Sequence, residues 1–224
     1  MKLQLSPSIL TADFGRLAEE IASVEEQVDW YHLDVMDGHY VGNLTFGFST
    51  IEAIRAVTTR PLHVHLMISN PDRYAARYID AGADRISFHP ETVGDAGAVI
   101  EAIRDAGAGP GIAVHPDESL DALKRHVQHL DVVLMMTVRP GFGGQNFLRE
   151  VLPKIERASA LVDEKGGGAD IEVDGGVKLE NVDSVVAAGG RIIVSGSGVY
   201  DGVDPPAAAR RLRRRLDELE AARP

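Results

Sequence analysis

Eight times along the chain, a short run rich in Val, Ile and Leu gives way to a longer segment with helical, amphipathic spacing. The apolar runs fall at 3–10, 30–35, 62–68, 85–89, 111–115, 132–136, 171–175 and 191–196. The helix-like stretches fall at 13–27, 47–57, 71–81, 94–106, 118–128, 147–165, 179–188 and 205–221. Glycine punctuation recurs between them, as DAGAD at 80–84, DAGAG at 105–109 and AAGG at 187–190. A glycine after a helix supplies the left-handed cap, and a strand then starts. Such alternation predicts a parallel sheet built through right-handed crossovers. Eight strand–helix units in 224 residues match the size of a (β/α)8 or TIM barrel, with a doubly wound open sheet as the alternative. GGG at 166–168 reads as a loop before the seventh strand, and no Pro/Gly/Ser-rich linker divides the chain. Residues 1–224 therefore read as one α/β barrel domain.

Side chains alternate faces along a strand. In WYHLDVM, Tyr31, Leu33 and Val35 share one face, while Trp30, His32, Asp34 and Met36 share the other. The apolar set suits the helix side, which turns His32 and Asp34 into the barrel. The third run repeats the pattern: Leu62, Val64 and Leu66 point outward, His63, His65 and Met67 inward. The remaining runs place Ser6 and Ser8, Ser87 and His89, Leu134 and Met136, and Glu172 and Asp174 inward.

Strand ends of a barrel converge at its C-terminal mouth, where active sites lie. His32, Asp34, His65 and Asp174 would meet there as a two-histidine, two-carboxylate cluster. Burying a charge is costly unless it is paired or metal-bound, and nitrogen plus oxygen ligands suit Zn(II), Fe(II), Mn(II) or Co(II). His63 and Glu172 lie deeper and read as a buried polar pair. His115, His126 and His129 lack such context. Asp37, beside Gly38, reads as a turn residue. Three glycine-rich turns end neighbouring strands: RPGFGGQ (139–145), DGG (174–176) and SGSG (195–198). Glycine lets backbone approach a ligand closely, and phosphate sites of barrels form after strands seven and eight with a short extra helix, for which SGSGVYDG is well placed.

The composition narrows the partners. With no cysteine, disulfides and thiolate metal sites are excluded. A net charge of −11 argues against a broad basic surface for nucleic acid. No run approaches a membrane span and MKLQLSPSIL lacks the apolar stretch of a signal peptide, so a cytoplasmic protein without membrane or nucleic-acid partners is expected. RRLRRR at 210–215, followed by Asp217, Glu218 and Glu220, reads as a solvated helix with internal ion pairs.

Along nearly its whole length the chain resembles the ribulose-phosphate 3-epimerases. The residues that carry the resemblance are PSIL with ADF (7–14), HLDVMDGHYVGNLTFG (32–47), HLMISNPDRY (65–74), AGAD with FHPE (81–91), TVRPGFGGQNF (137–147), EVDGGV (172–177) and GSGVY (196–200). The resemblance implies interconversion of D-ribulose 5-phosphate and D-xylulose 5-phosphate. It implies one divalent cation per subunit on His32, Asp34, His65 and Asp174, zinc foremost, with Asp34 and Asp174 as the acid/base pair. Ser8, His65, Gly141, Phe142, Gly143, Gly144, Gly175, Gly176, Gly196 and Ser197 match substrate-contacting positions. Met36, Met67 and Met136 become an apolar cap over the reacting carbon, and a homo-oligomer is expected.

That chemistry is sound from below. Epimerisation removes a proton beside a ketone from one face and returns one to the other, so two carboxylates are wanted. A cation stabilises the negative charge that develops. A hexulose 6-phosphate such as D-allulose 6-phosphate would suit the same site. A phosphate-binding lyase would need a lysine at a strand end, and no candidate strand ends in one. A non-catalytic sugar-phosphate binder would not need the intact cluster. The chain departs from the family at Gly42, His115 and Arg139. These departures bear on loop motion and substrate preference, and Arg139 is placed to reach the phosphate or to face solvent.

Overall fold

Each apolar run overlaps a strand of one parallel sheet: β1 Gln4–Ser6, β2 Tyr31–Met36, β3 Leu62–Met67, β4 Arg85–Phe88, β5 Gly109–Val114, β6 Val132–Met136, β7 Asp170–Asp174 and β8 Ile192–Val194. Each intervening stretch contains a helix: α1 Leu17–Val24, α2 Phe48–Arg55, α3 Pro71–Asp80, α4 Ala96–Asp105, α5 Asp121–His126, α6 Leu152–Glu164, α7 Val182–Ala187 and α8 Pro205–Ala221. The computed structural model describes residues 2–165 and 168–222; of the expected GGG loop, Gly166 and Gly167 lie outside them.

The strand order is β1-β8-β7-β6-β5-β4-β3-β2, all parallel. The two ends of that order meet through a parallel bridge between Ser8 and His32, where the His32 N–H donates to the Pro7 carbonyl at 3.0 Å. The sheet therefore curls into a barrel, and the open doubly wound alternative is excluded.

Several elements are shorter than the apolar pattern suggests. β1 stops at Ser6 because Pro7 has no N–H for the ladder. Ser8 then caps a 3-10 turn, Ile9–Thr11, its Oγ accepting from Leu10 N at 3.3 Å. α6 begins only at Leu152, because 139–148 stays outside regular structure over the barrel mouth. The short helix expected after β8 is a single turn in which Val199 N and Tyr200 N both donate to the Gly196 carbonyl at 2.9 Å. Gly202, at φ 74°, then turns the chain toward α8.

The face alternation holds. Leu33, Val35, Leu62, Val64, Leu66, Val133, Ile171 and Val173 belong to the large core between strands and helices. Burial stabilises each such side chain by about 1.5–3 kcal/mol. The barrel interior carries a small apolar cluster of Ala113, Leu134, Met136 and Val138. Val132, Ile192 and Val194 also face inward, and the polar Ser6, His32, His63, Ser87 and Glu172 are buried beside them.

Buried polar groups need partners; Ser6 Oγ makes no hydrogen bond among the described residues, while the other four form one network. Glu172 accepts from His32 Nδ1 at 2.9 Å and from His63 Nδ1 at 2.6 Å, and His63 Nε2 lies 2.8 Å from Ser87 Oγ. The expected His63–Glu172 pair is thus present and extends to both sides. Gly111 makes room for it, since a Cβ there would lie 2.3 Å from Ser87 Oγ and 2.4 Å from Val132 Cγ1.

Candidate active site

The register of β2 against β3 sets Asp34 beside His65, and His32 beside His63. The pairing of β6 with β7 sets Met136 beside Asp174. These positions bring His32, Asp34, His65 and Asp174 together, one ligand-competent atom from each lying within 4.8 Å of all the others. His32 Nε2 and His65 Nδ1 each lie 3.3 Å from Asp34 Oδ1, and His32 Nε2 lies 3.9 Å from Asp174 Oδ2. Ligand atoms about 2.1 Å from a tetrahedral zinc would be about 3.4 Å apart, so the spacing suits one cation.

His32 Nε2 is fully buried and makes no hydrogen bond among the described residues, although two carboxylates face it. Its Nδ1 is committed to Glu172, so the free ring nitrogen is the one aimed at the cluster. A carboxylate behind a ligating histidine is the common outer support of metal sites. The donor set and the orphaned nitrogen both fit a metal ion.

The electrostatics separate the two aspartates. Burial works against the charge on Asp34, but His32 and His65 outweigh it and hold its carboxyl well below the usual range. Ser8 Oγ also donates to Asp34 Oδ2 at 2.6 Å. Asp174 is pushed up to about 7, by burial first and then by the Asp34 charge. Burial brings His65 down to about 3, against its contact with Asp34, leaving a neutral ring. His32 is raised well above its ordinary value, because Asp34, Glu172 and Asp174 outweigh its burial.

Above the cluster lies a cleft. Ser8, Asp34, Met36, Met67, Met136 and Asp174 line it, as do Gly141, Phe142, Gly143, Gly144, Gly175, Gly176, Gly196 and Ser197. His32 and His65 are buried beneath it and are not part of its lining. Six lining residues were not singled out from the sequence: Leu10, Thr11, Val138, Pro140, Gln145 and Val177. All sit inside or beside the quoted motifs, and a scan past each polar strand end into the next loop would have found them. Thr11 wedges between two glycine turns, since Cβ atoms at Gly143 and Gly196 would each meet its side chain at 2.9 Å.

One end of the cleft is made of backbone. The carbonyls of residues 174–177 are tied back by side chains behind the turn. Thr137 Oγ1 donates to Asp174 O at 2.9 Å and Gly175 O at 2.7 Å, Asn181 Nδ2 to Gly176 O at 2.9 Å, and Ser195 Oγ to Val177 O at 2.6 Å. Gly175 and Gly176 take φ 123° and 64°, and a Cβ on Gly176 would lie 2.6 Å from Phe147 N. No hydrogen bond within the described residues uses the N–H of Gly176, Val177, Gly196, Ser197 or Gly198. Among the described residues, no Lys or Arg lines the cleft. Arg139 turns instead to Asp117, with its Nε 3.1 Å from Oδ2.

The loop after β2 crosses the mouth. Asp37 Oδ1 accepts from the N–H groups of His39 and Tyr40, and Oδ2 from Ser69 N at 2.7 Å, which makes Asp37 the turn residue it was read as. Asn43 Nδ2 donates to Gly141 O at 3.0 Å, joining this loop to the one after β6. Gly42 has open space around it. His115 is partly buried, and its Nδ1 accepts from Asp117 N at 3.2 Å.

Comparison with known proteins gives a consistent result. Residues 4–200 match the sequence model of the ribulose-phosphate 3 epimerase family. The chain is 45% identical over 210 residues to a ribulose-phosphate 3-epimerase of Mycobacterium bovis, covering 94% of this chain and 91% of the relative. It is 44% identical over 213 residues to the enzyme of that name from Bacillus subtilis, covering 94% and 98%. Among solved structures it resembles KGPDC from Streptococcus mutans, with a TM-score of 0.74, 15% identity and coverage of 97% and 99%. Orotidine 5'-phosphate decarboxylase from Pyrococcus horikoshii gives a TM-score of 0.68 at 16% identity, covering 95% and 99%. At such identities these two likenesses show the barrel fold alone.

Proposed function

Because this chain belongs to the ribulose-phosphate 3-epimerase family, an isomerase family, we propose that it interconverts D-ribulose 5-phosphate and D-xylulose 5-phosphate. The observation that carries this is the pair Asp34 and Asp174, facing one cleft with opposite proton preferences. Two titratable groups whose surroundings push them apart mark an acid and a base. Asp34, ionised, takes the C3 proton from one face of the ketose. Asp174, which holds its proton near pH 7, returns one to the other face. In the reverse direction the roles exchange. A positioned acid or base contributes typically about 10²–10⁴-fold.

When bound by His32, Asp34, His65 and Asp174, a divalent cation supplies positive charge beside the oxygen where negative charge develops. Zinc suits these ligands best, with Fe(II), Mn(II) and Co(II) as alternatives. Glu172 orients the His32 ring from behind. Ser8 fixes Asp34. Met36, Met67 and Met136 keep water from the reacting carbon. The free N–H groups at 176–177 and 196–198 take the phosphate, an arrangement that needs no cationic side chain. The working setting we propose is a cytoplasmic homo-oligomer in pentose phosphate metabolism.

The deciding assay follows deuterium from D2O into C3 of D-ribulose 5-phosphate, before and after chelation. Exchange with epimerisation, lost on chelation and restored by metal, is the expected result. No exchange into any ketose phosphate overturns the proposal. A much higher kcat/KM on D-allulose 6-phosphate would reassign the substrate and leave the chemistry.

A further inference from the structure

One buried histidine takes no part in the chemistry above. His89 follows β4, is fully buried, and presents its Nε2 3.0 Å from His65 Nε2. Its Nδ1 makes no hydrogen bond among the described residues and lies 3.3 Å from Glu91 Oε1. Tyr40, from the loop after β2, donates through its hydroxyl to the same Glu91 oxygen at 2.7 Å. The Tyr40 ring packs on His89 with centroids 4.8 Å apart.

Two ring nitrogens 3.0 Å apart must share one proton, so one donates and the other accepts. Which does which follows from the far side of His65. Its Nδ1 faces Asp34 Oδ1 and is the atom that joins the cluster. A metal held there would take the lone pair of that nitrogen and leave the His65 proton on Nε2. His89 Nε2 then accepts, and its own proton sits on Nδ1, toward Glu91. We infer that His89, Glu91 and Tyr40 form a positioning relay that holds His65 as its Nε2–H tautomer with Nδ1 turned to the metal site. The inference rests on the metal-site reading and adds a support to His65 like the one Glu172 gives His32. It also ties the metal site to the loop over the mouth, because Tyr40 belongs to both.

The test compares zinc affinity, by competition with a chromophoric chelator, in wild type and variants. His89→Phe keeps a ring against Tyr40 but removes both nitrogens. Its zinc Kd should weaken by roughly 10–100-fold. His89→Gln can accept from His65 and donate to Glu91, and should recover most of that loss, which a purely packing role would not predict. Glu91→Gln, at a partly exposed side chain, removes the terminal charge and should weaken zinc several-fold; it carries the test if His89→Phe does not fold. Long-range 1H–15N spectra of the zinc-loaded protein should show His65 protonated on Nε2 and His89 on Nδ1. Wild-type Kd in both His89→Phe and Glu91→Gln, or a His65 protonated on Nδ1, overturns the relay. Unchanged zinc affinity in His65→Ala overturns the metal site itself, which keeps the two failures apart.

Discussion

Asp34 and Asp174 are the same residue type in one cleft, yet their neighbours assign them different protons. Asp34 sits between two histidines and a serine hydroxyl, and its charge is satisfied. Asp174 meets the Asp34 charge with less compensation and is held near 7. Asp174→Asn is isosteric and removes both the proton carrier and a carboxyl ligand. It should keep the fold, read by circular dichroism, and lose at least about 10²–10⁴-fold in kcat; wild-type turnover would refute the two-carboxylate assignment. A second consequence concerns metal uptake. Asp174 can ligate through the oxygen that does not carry its proton, but His32, raised in the metal-free protein, must shed one from the nitrogen facing the cluster. Zinc binding at pH 7 should therefore release protons. Affinity should rise with pH, by up to about tenfold per unit, for as long as the free protein still holds that His32 proton. Calorimetry in buffers of different ionisation enthalpy measures the release, and a value of zero contradicts the proton placement.

Strands and loops differ in how far sequence alone locates them. Strand alternation has a period of two, so one outward apolar set fixes the inward residues. That is why His32, Asp34, His65 and Asp174 were legible before any contact was known, as were the deeper His63 and Glu172. Their convergence also needs the register of β2 with β3, which apolar patterning specifies strongly. Loop residues follow no such period. Thr11 lines the cleft because two glycine turns close around it. Arg139 faces Asp117, not the cleft, because the loop after β5 offers a carboxylate nearby. The turn after β8 stays a turn where a helix was expected, because Asp201 N donates only two residues back, to Val199 O at 3.0 Å, and Gly202 then takes φ 74°. Inside β5, Gly111 shows an element shaped by its neighbours. Gly111→Ala would press a methyl into Ser87 and Val132, and overpacking of this kind costs about 1–3 kcal/mol. Urea unfolding should show that loss. Because Ser87 supports His63, and His63 shares Glu172 with His32, zinc affinity should fall as well.

At the scale of the whole molecule the barrel divides its labour between two ends. The C-terminal mouth gathers the cluster, the cleft and the glycine turns. The opposite end closes the ring, and there Asp29, just before β2, is the joint. Its Oδ2 accepts from Leu5 N at 2.9 Å and from Arg213 Nη1 at 2.9 Å, and its Oδ1 meets Lys2 Nζ at 2.7 Å. Arg213 also donates to the Leu3 carbonyl at 3.1 Å and pairs with Asp217 at 2.8 Å. One side chain of α8 thus pins the start of β1 to the approach to β2, where the strand order meets itself. The basic run read as a solvated face is solvated at most positions, but Arg213 is only 17% exposed. Removing it takes one donor from the Asp29 carboxylate and one from the Leu3 carbonyl, and hydrogen bonds to charged groups are worth about 1.5–3 kcal/mol. Arg213→Met keeps the aliphatic stem over the core and deletes only the fork. It should lower the melting temperature by about 3–12 °C, at about 2–4 °C per kcal/mol for a chain of this size. The exposed Arg210→Met should change it little. Because this joint lies at the far end from the cleft, kcat and KM at 25 °C should match wild type in both variants. A large loss of kcat in well-folded Arg213→Met would show that the two ends are coupled and that the barrel is not the rigid divider its layout indicates.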